Sequence, residues 1–206
     1  MMKKKPAVKQ YILFYKPYGV LCQFTDSEGR KTLSDFRPFP GDVYPAGRLD
    51  VDSEGLVLLT NDGALKHHLM EPRYQHERMY LVQVEGIPQN VALEKLQRGV
   101  IIDGRKTLPA EVRLLHNEPP LPLREVPIRY RKNIPTAWLE IILREGRNRQ
   151  IRKMTAAVSH PTLRLIRVRI ASLTIHGLQP GESRSLTLKE IGELRKVFRC
   201  NSSYKS

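Results

Sequence analysis

The stretch Gly47-Arg48-Leu49-Asp50-Val51-Asp52-Ser53-Glu54-Gly55-Leu56-Val57-Leu58-Leu59-Thr60-Asn61-Asp62-Gly63 decides how the chain is read. Leu56 to Thr60 is an apolar run of strand length. Asn61-Asp62-Gly63 then supplies turn chemistry, because Gly tolerates positive φ and Asn and Asp can hydrogen-bond their own backbone. Arg48, three carboxylates (Asp50, Asp52 and Glu54) and a hinge at Gly55 precede the run. Asp50 is therefore expected on a loop that leads into a rigid element, where a reactive side chain is both exposed and held still.

Outward from this stretch, the 206 residues carry 35 Lys and Arg against 21 Asp and Glu, a net charge of +14. An excess of that size attracts polyanions at long range, above all nucleic acid. The two cysteines, Cys22 and Cys200, are far apart and match no metal spacing, so both are expected as free thiols in a reducing cytosol. The apolar stretch after the basic residues 1–10 is too short for a secretory signal, and nothing approaches the length of a membrane span. A cytoplasmic protein with no membrane partner is expected.

Residues 1–10 read as a flexible basic tail, 11–198 as one domain, and 199–206 as a frayed end. Strands are expected at Tyr11–Tyr15, Leu56–Thr60, Tyr80–Glu85, Ala137–Arg144 and Arg164–Ile170. Short helices are expected over Ala64–Met70 and Val91–Arg98, the second capped by Asn90 and stopped by Gly99. A basic helix is expected from about Asn148 to Ser159. The capping-box pattern Thr187-Leu188-Lys189-Glu190 opens a last helix to about Phe198. Four prolines in 117–127 mark a loop. Strands and helices mix without regular alternation, so the class is α+β with a mixed, mainly antiparallel sheet flanked by helices.

Arginines crowd one region: Arg144, Arg147, Arg149, Arg152, Arg164, Arg167 and Arg169, with Lys153 among them. On a helix, Ile151, Met154 and Val158 form the buried stripe, and Arg149, Arg152 and Lys153 share the adjoining face. In the following strand Ile166, Val168 and Ile170 point one way and Leu165, Arg167 and Arg169 the other. Any one of these cations suits a solvated face. The set suits a phosphate-binding surface, since guanidinium groups grip oxygens in pairs.

The acidic loop opens like a calcium loop, but its twelfth position is Asn61 where a bidentate Glu is required. Adjacent loop carboxylates rarely straddle a sugar as a glycosidase needs. Turn capping accounts for Asp52, Ser53 and Glu54. Asp50, beside Arg48 in a very basic protein, is the candidate for a carboxylate held ionised by nearby positive charge.

Four stretches, in order, resemble the ribosomal pseudouridine synthases, in the branch that includes the small-subunit enzyme A and the large-subunit enzymes B, E and F. They are Lys16-Pro17-Tyr18-Gly19-Val20, Gly47 to Leu56, Arg78-Met79-Tyr80-Leu81-Val82, and Gly146 to Met154, and the likeness continues through Leu163–Ile170 and Pro180–Thr187. The resemblance implies the pseudouridine synthase fold with a basic central cleft, and isomerisation of a uridine in large-subunit (23S) ribosomal RNA by base flipping. It implies Asp50 as nucleophile, Tyr80 stacked on the uracil and assisting loss of its C5 proton, and Arg152 as the cation paired with Asp50. Leu165 is implied beneath the base and Arg48 in the gap left by the flipped nucleotide. Arg147, Arg149, Lys153, Arg167 and Arg169 complete the expected RNA contacts. The reaction needs no redox change and no energy input, so no cofactor and no metal is expected. A monomer is expected.

Two departures stand out. Only a basic tail of about ten residues, four of them lysines, precedes the strand that leads into the first motif, where many relatives carry a small RNA-binding domain. Arg78 stands where Lys is usual. Two rivals remain open from the sequence: a non-catalytic ribosome-associated RNA-binding protein, and a metal-dependent nuclease built on Asp50, Asp52 and Glu54.

Overall fold

The computed structural model describes residues 8–128 and 134–202, with side chains described as far as residue 196. In chain order the elements are β1 (Tyr11–Lys16), β2 (Tyr44–Pro45), β3 (Glu54–Thr60), α1 (Gly63–Met70), β4 (Arg78–Glu85), α2 (Asn90–Arg98), β5 (Ile101–Ile102), β6 (Arg105–Lys106), β7 (Glu111–Leu115), β8 (Thr136–Leu143), α3 (Gln150–Ala157), β9 (Thr162–Ile170), β10 (Leu173–Thr174), β11 (Ser183–Ser185) and α4 (Leu188–Ser202). The class is α+β, as expected.

Every residue of β1 and β3 is buried. Both are uninterrupted apolar runs, the pattern of strands covered on both faces. They lie inside a nine-stranded sheet of order β11-β1-β3-β9-β4-β8-β7, with β2 added to β3 and β10 to β9. Among its named strands all pairings are antiparallel except β3 with β9, which run parallel over only Glu54↔Ile166 and Gly55↔Arg167. This short junction joins the two halves of the sheet.

The alternation expected for β9 is present. Ile166, Val168 and Ile170 pack into one apolar cluster with Leu13 and Leu56, while Leu165 packs into another with Val82, Leu139 and Met154. A third cluster, on the far side of β1, gathers Phe14, Val20, Leu49 and Val57.

Several expectations shift. β3 starts at Glu54, not Leu56, so Glu54 is a buried strand residue rather than a turn cap. It is held there by Arg164, which is also buried and donates Nε to Oε1 at 2.9 Å and Nη2 to Oε2 at 2.8 Å. Arg164 therefore leaves the proposed phosphate surface. Gly55 has φ +108°, and a Cβ there would come within 2.3 Å of the Arg167 carbonyl oxygen, so only glycine lets the two backbones meet. Gln89, without a side-chain bond, caps α2, and Asn90 is its first residue. The Thr187–Glu190 capping box is formed in both directions, at 3.2 and 2.8 Å. The short strands β2, β5, β6, β10 and β11, and β7, gave no readable run. The backbone of 199–202 continues α4 where a frayed end was expected. The expected basic tail keeps only residues 8–10 in view, where Lys9 pairs with Asp62 at 2.7 Å. Residues 1–7 and 203–206 and the Cys200 side chain lie outside the described part.

Breaking a buried pair strands one charge in a dry site. Arg164→Ala should lower the unfolding free energy by about 3–5 kcal/mol in urea titrations. The double change Glu54→Leu with Arg164→Met, which removes both charges, should cost clearly less.

Candidate active site

The loop before β3 is shaped by its own alternation. Leu49 is buried in the Phe14–Val57 cluster, which turns Arg48 outward and leaves Asp50 half-buried. The Ser53 amide donates to the Asp50 carbonyl at 3.1 Å and closes a turn, while the Gly19 amide donates to the Val51 carbonyl at 2.8 Å. Beneath the loop the fully buried Lys16 amine donates to the Pro17 and Val20 carbonyls at 2.9 and 2.7 Å. Lys16 thus pins the turn that pins the acidic loop. Burial pushes its pKa down to about 8, against the pull of the Cys22 thiol, Glu54, Asp52 and Asp50.

The cation beside Asp50 is Arg149, with Nη1 3.6 Å from Oδ2. Arg152, expected in that role, instead bonds the neighbouring residue: its Nη2 donates to the Asp52 carbonyl at 2.6 Å, and its Nε lies 3.3 Å from Asp52 Oδ2. The cause is the start of α3. Arg149 is the N-cap in a left-handed conformation (φ 50°), which swings its side chain across the loop. There it also grips Asp52 with two bonds, 3.1 and 2.8 Å. Burial opposes ionisation of Asp52, but the Arg149 hydrogen bonds and both guanidinium charges outweigh it and hold its pKa below the usual carboxylate range.

Asp50 opens onto a cleft of about 360 Å³ at the junction of the sheet halves. Of the candidate residues, Arg48, Asp50, Tyr80, Arg147, Arg149, Leu165 and Arg167 line it; Arg152, Lys153 and Arg169 do not. Tyr80 lies opposite Arg167 across the β4–β9 pairing, next to a register shift between Met79 and Tyr80. Such a shift re-aims side chains beside it.

Three cations expected on RNA are otherwise engaged. Lys153 pairs with Asp103 at 2.6 Å. Arg169 pairs with Glu77 at 3.0 Å, sharing it with Arg144. Arg167 is 3% exposed and gives Nε to the Leu56 carbonyl at 2.8 Å, so it braces β3 against β9. Arg147 lines the cleft but donates to the carbonyls of Ile102, Arg105 and Lys106, tying the β5–β6 hairpin to the rim. Arg48 is exposed and forms no hydrogen bond or ion pair among the described residues. The cleft also holds residues not expected there. Among the described residues the buried Ser53 hydroxyl has no hydrogen-bond partner, and Arg78, whose guanidinium donates to the Leu69 and His76 carbonyls, has no carboxylate partner. Ser53 was hidden by the strand's early start.

Asp50 and Asp52 share the Arg149 guanidinium, while Glu54 turns away into the interior. Among the described residues no three His, Cys, Asp or Glu side chains are grouped to hold a metal. The sequence profile of the RNA pseudouridylate synthases matches residues 10–157. The chain belongs to this family. Ribosomal large subunit pseudouridine synthase E of Vibrio vulnificus is 51% identical over 182 residues, covering 88% of this chain and 77% of that one. Ribosomal large subunit pseudouridine synthase B of Bacillus subtilis is 40% identical, covering 91% and 72%. A crystal structure of a pseudouridylate synthase superposes with TM-score 0.75 at 30% identity, over 91% of this chain and 74% of that one. The likeness read from the four motifs is therefore to the right family, and to the large-subunit enzymes within it.

Lys16 gives a pH signature for the acidic loop of this synthase. Below about pH 8 its amine is charged in both native and unfolded chains, and the full burial cost is present. From there to 10.5 the native chain sheds a proton the unfolded chain keeps, so native stability rises with pH. Relative to Lys16→Met, the wild type should gain about 2 kcal/mol between pH 7.5 and 10 in denaturant titrations.

Proposed function

We propose that this chain isomerises a uridine of large-subunit ribosomal RNA to pseudouridine, with Asp50 as the nucleophile. The observation that carries it is the placement of Asp50 at the mouth of a cleft walled by Tyr80 and Leu165, 3.6 Å from a guanidinium. Relatives named for the large ribosomal subunit support the choice of RNA.

Five arginines and two carboxylates line the cleft, a surplus of cations suited to a phosphate backbone. A stacked base is out of reach of Asp50, so the nucleotide must be flipped, at a cost of about a few kcal/mol that phosphate contacts offset. Arg48, outward and unengaged, is placed to enter the gap. The flipped uracil stacks on Tyr80 with Leu165 beneath it. An Asp50 oxygen bonds to C1′ as the N1–C1′ bond breaks with its electron pair on N1; the detached ring turns, C5 bonds to C1′ as the aspartyl bond breaks, and the proton lost from C5 is balanced by one gained at N1. Asp50 acts as a carboxylate oriented by Arg149, with Arg152 fixing the same loop through Asp52. No oxidant, reductant or nucleotide takes part. All of these groups come from one chain, consistent with a monomer acting where ribosomal RNA is found, in the cytoplasm.

Asp50→Asn should lower tritium release from RNA carrying 5-tritiated uridine by about a thousandfold or more, with RNA affinity within about threefold. Substantial turnover by that variant would refute the assignment. Arg149→Ala should lower kcat more than Arg152→Ala does, by about tenfold, since only Arg149 adjoins the Asp50 carboxylate. The reverse order would return that role to Arg152.

A further inference from the structure

Next to the cleft lies a second cavity of about 770 Å³, which shares Gly47, Arg48 and Met70 with it. Nothing in the reaction described above uses it. Phe24, Phe39 and Tyr44 line it, and Tyr44 is 55% exposed although large and apolar in its ring. Three cations stand around these rings. The Arg37 guanidinium lies 5.4 Å from the centre of the Phe39 ring and the Lys66 amine 5.8 Å from that of Tyr44, while Arg48 faces both cavities.

Among the described residues no Asp or Glu lines the cavity. Arg37, Arg48 and Lys66 have no ion pair among the described residues, whereas Arg149, Arg152, Lys153, Arg164 and Arg169 all do. Aromatic faces beside cations without counter-ions are the make-up of a platform for unpaired bases and their phosphates. The volume suits one base with its sugar and phosphate.

We propose that this cavity is a second RNA subsite, which takes an unpaired base adjacent in the strand to the flipped uridine, with Tyr44 as the stacking face and Lys66 on the intervening phosphate. The inference rests on the RNA isomerase reading and adds a specificity element to it: the target must have an unpaired neighbour. Continuity through Arg48 is what selects the same strand as occupant. A nucleotide leaving the catalytic cleft on that side meets this cavity next.

The test is equilibrium binding of the full chain to a stem-loop containing the modified uridine and to a blunt duplex of equal length. Tyr44→Ala, and Thr25→Trp, which fills the cavity from its exposed rim, should each weaken stem-loop binding about tenfold and duplex binding less than about twofold; Tyr44→Phe should bind as wild type. An abasic residue at one position beside the modified uridine should weaken the wild type about tenfold and Tyr44→Ala less than about twofold. Equal weakening of both RNAs, unchanged stem-loop affinity in both variants, or no abasic position coupled to Tyr44 would overturn the proposal. So would micromolar binding of free nucleoside monophosphates that Tyr44→Ala abolishes, which would assign the cavity to a small ligand. Tritium release by the wild type separates the two readings: turnover without these binding differences removes the subsite alone, and the binding differences without turnover remove the isomerase alone.

Discussion

The structure depends on a two-residue contact, the parallel pairing of Glu54 and Gly55 with Ile166 and Arg167. Each half of the sheet could form its antiparallel ladders alone. This junction, with the apolar cluster that Leu13 and Leu56 share with Trp138 and Ile166, sets how the halves meet, and the cleft lies at their meeting. It is secured in three ways. Gly55 lets the backbones approach to a distance no Cβ allows. Glu54 and Arg164 close a buried, doubly bonded ion pair across it. Arg167 reaches back to the Leu56 carbonyl. A buried pair of this kind contributes little net stability, because desolvation offsets attraction, but it rejects any register that leaves a charge alone.

From that junction the site follows. β3 is rigid, so the loop ahead of it is held at its end, and the Lys16–Gly19 turn holds it from below. Across the cleft, β4 and β9 present Tyr80 and Leu165 from the other half of the sheet. Asp50 and the Tyr80 and Leu165 walls thus belong to different halves, and their separation is set by the β3–β9 pairing together with the Glu54–Arg164 and Asp52–Arg149 contacts. Orientation is a large part of what such a site supplies.

The acidic loop was legible because its signals are local: a charge cluster, a glycine and turn residues around an apolar run. The long strands and the amphipathic α3 were legible for the same reason. The partner of Asp50 was not. Helical spacing puts Arg149, Arg152 and Lys153 on one face, but Arg149 leaves the helix through a left-handed backbone, and only the fold shows which loop it crosses. Glu54, Arg164 and Arg167 were misread because charged residues are seldom buried unless paired, and their partners lie more than a hundred positions away. Lys153 and Arg169 look free in sequence because their partners, Asp103 and Glu77, sit in loops 50 and 92 positions away. Two-residue strands such as β2 and β10 are too short to carry a period.

The central claim is that a flipped uridine reaches Asp50 between Tyr80 and Leu165. A crystal structure of the Asp50→Asn chain with a stem-loop of its ribosomal RNA tests this most directly. The account predicts one uridine out of the stack, its ring against Tyr80 and its C1′ within about 4 Å of the residue-50 side chain. A target uridine still stacked in the RNA, or lodged away from that cleft, would contradict it.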